Sequence, residues 1–130
     1  MEHRPAERTQ WQPAGEEHFT GKVWFGPIQP SGDSDALNVL GVAFEPGART
    51  DWHTHPAGQV LYVVSGTARV QREGGETVTA GPGDAVVATA GEVHWHGATP
   101  DSPMVHLSIT DGGPTEWLPR KVTDSEYGAS

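Results

Sequence analysis

The chain has 130 residues and no cysteine, so it has the length of one domain and can carry neither disulfides nor thiolate-held zinc or iron–sulfur clusters. Seventeen acidic against eight basic residues give a formal charge of −9, which opposes phosphate backbones and excludes a nucleic-acid partner from the expectation. No apolar run approaches membrane-spanning length, and Met1-Glu2-His3-Arg4-Pro5 is not a basic stretch followed by an apolar one; the expectation is a cytoplasmic protein with a small-molecule partner and no membrane association.

Residues 1–18 are polar and proline-containing and read as an N-terminal arm that orders against a partner subunit or the exterior of the domain that follows over 19–130. Apolar runs then appear in order at Leu37–Phe44, Val60–Val64, Thr67–Val70, Ala85–Ala88 and Met104–Ile109, separated by many of the seventeen glycines and eleven prolines, and none is long enough for a helix. In the first run Asn38, Leu40, Val42 and Phe44 share a face. In the last, Met104, His106, Ser108 and Thr110 share one face and Val105, Leu107 and Ile109 the other. Short spans with glycine-rich turns predict an all-β sandwich or barrel, and this length suits a single jelly roll. Gly81-Pro82-Gly83-Asp84 reads as a β-turn rather than a phosphate loop, because no helix follows it. Beyond Asp111, a turn at Gly112-Gly113-Pro114 leads to a final edge segment with Trp117 as its packing anchor.

Two separated segments supply metal-capable side chains. His53 and His55 lie two apart, so on an extended strand they point the same way while Thr54 points away; Gln59 follows, and His94 stands alone in the second segment. Trp52 and Trp95 flank these histidines with the opposite parity and are expected to pack between sheets rather than on substrate. His96 shares the face of His94. His106 lies on what is expected to be an inner face, together with Ser108 and Thr110, and Leu40 and Val42 would add an apolar wall there. His3 and His18 lie in or near the arm and are expected to be solvated.

These segments resemble the two motifs of the cupin superfamily. Gly47, His53, His55, Gln59 and Gly66 match the first motif, with Gln59 where a glutamate is usual. Gly83, Gly91 and His94 match the second, with Thr89 and Ala98 in place of its proline and asparagine. Phe44–Pro56, His94–Pro100, Met104–Leu107, Trp117 and Lys121–Tyr127 are similar to small bacterial cupins that include manganese-dependent hydroxynitrile lyases, a likeness running from about Phe19 to Tyr127. At the position of Thr110 those lyases carry a larger polar side chain.

The resemblance implies a single-domain cupin jelly-roll β-barrel, assembled as a homo-oligomer, dimer or tetramer. It implies one divalent ion per subunit on His53, His55, Gln59 and His94, with manganese favoured and iron, nickel or zinc as alternatives. Three imidazoles and an amide oxygen form a neutral donor set suited to such ions. Without an anionic ligand the site keeps the charge of the ion, which favours polarising a substrate oxygen over redox cycling. The expected activity is a lyase of the hydroxynitrile-lyase kind, acting at a carbon–carbon bond beside a carbonyl, with His106, and next His96, as the base and Leu40, Val42, Ser108 and Thr110 as pocket wall. The alternatives are a metal-dependent dioxygenase and a non-catalytic metal- or small-molecule-binding cupin.

Overall fold

A computed structural model describes residues 1–30 and 37–128. Its strands are β1 (Gln12–Pro13), β2 (Phe19–Thr20), β3 (Val23–Gln29), β4 (Asn38–Phe44), β5 (Arg49–Thr50), β6 (His53–Thr54), β7 (Gln59–Ser65), β8 (Ala68–Arg72), β9 (Val78–Ala80), β10 (Ala85–Ala88), β11 (His94–Ala98), β12 (Met104–Thr110) and β13 (Glu116–Trp117), followed by one helical turn, α1 (Asp124–Tyr127). They form two antiparallel sheets. One runs β1-β3-β4-β12-β7-β10; the other runs β13-β6-β11-β5-β2, with the β8–β9 hairpin attached along β11. The architecture is the expected all-β cupin jelly roll, and among the described residues no helix is long and apolar enough to cross a membrane.

Alternation places the core. Val42 and Phe44 on β4, Leu61 and Val63 on β7, and Met104, His106 and Ser108 on β12 are buried, while Val60, Tyr62, Val105 and Leu107 face outward. The buried set meets Phe19, Val23, Ala68, Val70 and Ala98 from the other strands to form the main core between the sheets. Gly66, at the end of β7, has φ 75°, and a Cβ there would stand 2.0 Å from the Pro103 carbonyl oxygen, so this turn admits only glycine.

A second, smaller core holds Trp52 and Trp95. They pack against Val122 and Tyr127 rather than between the sheets, because their side chains point outward and the C-terminal segment folds back over them. Arg49, Tyr127 and Thr123 fix that segment. The Arg49 guanidinium lies over the Tyr127 ring at 4.5 Å and donates to the Val122 carbonyl at 2.9 Å. The Tyr127 hydroxyl donates to the Ala98 carbonyl. The Thr123 hydroxyl accepts from the Glu126 amide while the Glu126 carboxylate accepts from the Thr123 amide, a reciprocal cap that lets so short a helix form.

Candidate metal centre

Strand register assembles the histidines. His53 on β6 and His94 on β11 are direct cross-strand partners, so residues forty-one apart in sequence face each other across one ladder step. The His53 and His94 ring centroids lie 4.4 Å apart. His55 lies 5.1 Å from His53 and 5.7 Å from His94, again between centroids. His96, two residues along β11, turns the same way, and the ligand atoms of His53, His94 and His96 all fall within 4.8 Å of one another.

Hydrogen bonds define which nitrogens are available. Nδ1 of His53 lies 2.8 Å from the Asp51 carbonyl and Nδ1 of His94 lies 2.9 Å from the Glu92 carbonyl. A carbonyl only accepts, so each Nδ1 carries the proton and each Nε2 keeps its lone pair. Gln59 donates through Nε2 to the Ser108 hydroxyl at 2.6 Å, which turns its Oε1 toward His94 Nε2 at 3.1 Å. Two acceptors face to face in a buried site cost about 1–3 kcal/mol unless a cation takes both lone pairs or the amide turns over. Nε2 of His55 and Nε2 of His96 are also buried with no hydrogen-bond partner among the described residues. Convergent, unpartnered neutral donors are what a divalent ion needs, so these residues fit the expected metal.

Burial holds the cluster neutral. Desolvation, with the neighbouring His94 next in weight, pushes the His53 imidazole well down from its ordinary value, and it takes His55 down to about 4. His94 is lowered by the same desolvation, against an opposing hydrogen bond to Glu92. His96 is lowered well down by burial and then by His106, and His106 is lowered to about 4 by burial. A neutral imidazole is the ligating and proton-accepting form.

A cavity of about 60 Å³ opens beside the cluster, lined by His53, His55, Gln59, His96, Leu40, Val42, Ser108, Thr50, Phe19, Phe25, Thr115 and Trp117. At roughly 10–15 Å³ of such volume per water, it takes only a small molecule. Leu40, Val42, Ser108 and His96 thus stand where the sequence places them. Two others do not. Thr110 is held at the end of β12, accepting from Asn38 Nδ2 at 3.2 Å and from the Gly112 amide at 3.1 Å, and it lies outside this lining. His106 sits one layer deeper, its ring 5.4 Å from that of Phe44, and its Nε2 meets His96 Nδ1 at 2.9 Å. His96 therefore faces the cavity and His106 stands behind it.

Sequence reading did not single out Phe19, Phe25, Thr50 and Thr115 for the lining. Trp117 was legible as an anchor but not as a wall; it pairs in register with His53, 4.8 Å from that ring, with His18 stacked on its other side at 4.4 Å.

Donor strength would rank these residues as ligands. His53→Ala is expected to remove nearly all bound metal and Gln59→Ala to remove less, because imidazole is the stronger donor and an amide oxygen is more easily replaced by water. Elemental analysis of the purified variants checks this; metal content equal to the parent's in both variants would contradict the ligand assignment.

Comparison with known proteins places the chain among relatives of the same fold. The cupin-domain family profile matches residues 41–110. A protein from Granulicella tundricola named (R)-mandelonitrile lyase is 46% identical over 112 residues, covering 84% of this chain and 85% of that protein. The crystal structure of a cupin-like protein from Thermotoga maritima superposes with a TM-score of 0.84 at 39% identity, covering 90% of each chain. A polyketide cyclase from Streptomyces resistomycificus shares the fold alone, with a TM-score of 0.79 at 18% identity over 98% of this chain and 90% of that one. With the paired histidine segments, the strand register that joins them and the extent of these matches, the chain belongs to the cupin family.

Proposed function

We propose that this cupin is a metal-dependent lyase that cleaves small aromatic hydroxynitriles, the substrate class named for its Granulicella relative. The observation that carries the reading is His96: its Nε2 has no hydrogen-bond partner among the described residues and lies beside the His53–His94 pair, while its Nδ1 is occupied by His106 at 2.9 Å. His53, His55, Gln59 and His94 would hold one divalent ion per subunit, with manganese favoured and iron, nickel or zinc as alternatives. When bound, such an ion supplies a positive charge that acidifies a hydroxyl brought beside it.

The side chains do the rest. His96, kept neutral by burial, accepts the hydroxyl proton on Nε2 in the tautomer whose Nδ1–H donates to His106 Nε2. As the C–O bond becomes a carbonyl, the carbon–carbon bond breaks and its electron pair leaves with cyanide. The lowered basicity of His96 then returns the proton readily to cyanide, so the products are an aldehyde and hydrogen cyanide and the enzyme is unchanged. Phe19, Phe25, Leu40, Val42 and Trp117 line the cavity with apolar surface, which suits an aromatic ring. Ser108 steers the Gln59 amide through its 2.6 Å hydrogen bond.

A direct test gives the manganese-loaded protein an aromatic cyanohydrin and follows aldehyde and cyanide together. Equal release of both above the buffer rate is expected. No cyanide release, together with oxygen uptake on a catechol by the iron- or nickel-loaded protein, would replace the lyase reading by a dioxygenase.

A further inference from the structure

The two sheets part along one side. β10 pairs only with β7 and β9 only with β8, so among the described residues no ladder ties these two edges together. Register shows what the opening uncovers. Val78 is the cross-strand partner of buried Val70, and Val86 that of buried Leu61, so both face inward; yet Val78 is 52% exposed and Val86 only half-buried. Arg72 stands directly across from His94 and faces inward too, although it is exposed and in no ion pair among the described residues. Between these strands lies a cleft of about 210 Å³, against about 60 Å³ for the cavity beside the histidine cluster. Leu61, Val70, Ala88 and His94 form its buried floor, and Arg72, Glu76 and Glu92 bring charge to its rim.

We propose that this cleft is a second binding site, for a small neutral aromatic molecule that carries a hydroxyl or carbonyl group. The walls set the shape. Leu61 and Val86 on one sheet face Val70 and Val78 on the other, and stacked sheets stand about 10 Å apart, so the space between their aliphatic side chains suits a flat ring. The rim sets the charge. One guanidinium and two carboxylates border an apolar floor, so an ion of either sign meets a like charge while it loses its hydration. A hydroxyl or carbonyl avoids that penalty and finds a donor in Arg72. The Glu92 carboxylate is turned back on its own loop, where it accepts from the Thr89 amide at 3.3 Å. His94 joins the cleft to the metal centre: its Nδ1 is held by the carbonyl of Glu92, which borders the cleft, while its Nε2 lies 3.1 Å from Gln59 Oε1. A molecule in the cleft thus packs against a proposed ligand of the ion without entering the cavity lined by His53, His55 and His96. This inference rests on the cleft's own residues and stands independently of the lyase reading.

The test is a titration of the zinc-loaded protein, with isotope-labelled methyl groups, with benzyl alcohol in NMR. Nuclear Overhauser contacts from the ring protons to the methyls of Leu61, Val70 and Val78 are expected, and they should saturate. Contacts confined to Leu40 and Val42, contacts that never saturate, or none at all would overturn the proposal. Binding beside Leu40 and Val42 bears on the metal cavity alone, so failure of the lyase reading shows separately. Arg72→Leu, a change at an exposed position, is expected to weaken binding in the cleft by about threefold to tenfold, the worth of one hydrogen bond, and to leave the Leu40 and Val42 signals where they are. Benzoate should bind the cleft about tenfold more weakly than benzyl alcohol. Unchanged affinity in Arg72→Leu, or benzoate binding as tightly as the alcohol, would also overturn it.

Discussion

His96→Ala is expected to lower kcat for cyanohydrin cleavage by about 100-fold to 10,000-fold, the usual contribution of a positioned proton acceptor, while metal content and fold remain those of the parent. Among the described residues, His96 presents an unpartnered Nε2 beside the His53–His94 pair, and no other imidazole on the cavity wall is outside the proposed ligand set. His106→Ala is expected to cost less. It leaves the acceptor in place and removes only the hydrogen-bond partner of its Nδ1, so the loss should be larger in kcat than in KM, and His106→Gln, which can still hydrogen-bond Nδ1, should recover part of it. Activity of His96→Ala within about threefold of the parent would remove it from the proton transfer. Loss of metal together with activity would instead make it a ligand, as its place within 4.8 Å of His53 and His94 allows.

The second large effect is on stability. For the metal-free protein, acidification should destabilise the fold between about pH 6.5 and pH 4, above the range where carboxylates titrate. The sign follows from burial: His106 titrates at about 4 when folded and at about 6.5 when unfolded, so in that window the unfolded chain binds more protons and stability falls with pH. For this one fully buried imidazole the difference corresponds to about 3 kcal/mol, a large part of the roughly 5–15 kcal/mol that holds a domain together. His53, His94 and His96 are lowered in the same direction and add to it. A Tm lower by on the order of 10 °C at pH 5 than at pH 7.5 is the expected result in scanning calorimetry. His106→Leu should reduce the slope. A Tm that stays flat over this range would mean that the imidazoles are not held neutral in the folded core.

Much of this was legible because a β-sheet reads sequence with a period of two. The runs at Leu37–Phe44, Val60–Val64 and Met104–Ile109 became β4, β7 and β12, and the parity that sets Leu40 and Ser108 inward also sets Leu107 outward. His53, His55, Gln59 and His94 could be singled out because their spacing falls within two short stretches of sequence, and the fold brings those stretches together through the β6–β11 pairing. Parity says only which face a side chain takes, not how deep along the strand it lies. Hence His106 and Thr110 were expected in the wall, and one lies behind His96 while the other is tied down at the strand end. The same limit applies to Trp52 and Trp95: their outward parity was visible, but the C-terminal segment that covers them is a long-range contact with no local signature. Phe19, Phe25 and Trp117 reach the cavity through pairings between distant segments, which no spacing in the chain announces.

The central claim is that the histidine cluster holds an ion and that the ion is needed to cleave a hydroxynitrile. The most direct measurement strips the purified protein with a chelator, reloads it with manganese in steps, and follows benzaldehyde release from mandelonitrile against bound metal. The expected result is release at the buffer rate when stripped, rising in proportion to occupancy and saturating near one ion per chain. Release at the same rate with and without metal, or none above buffer at full occupancy, would contradict it.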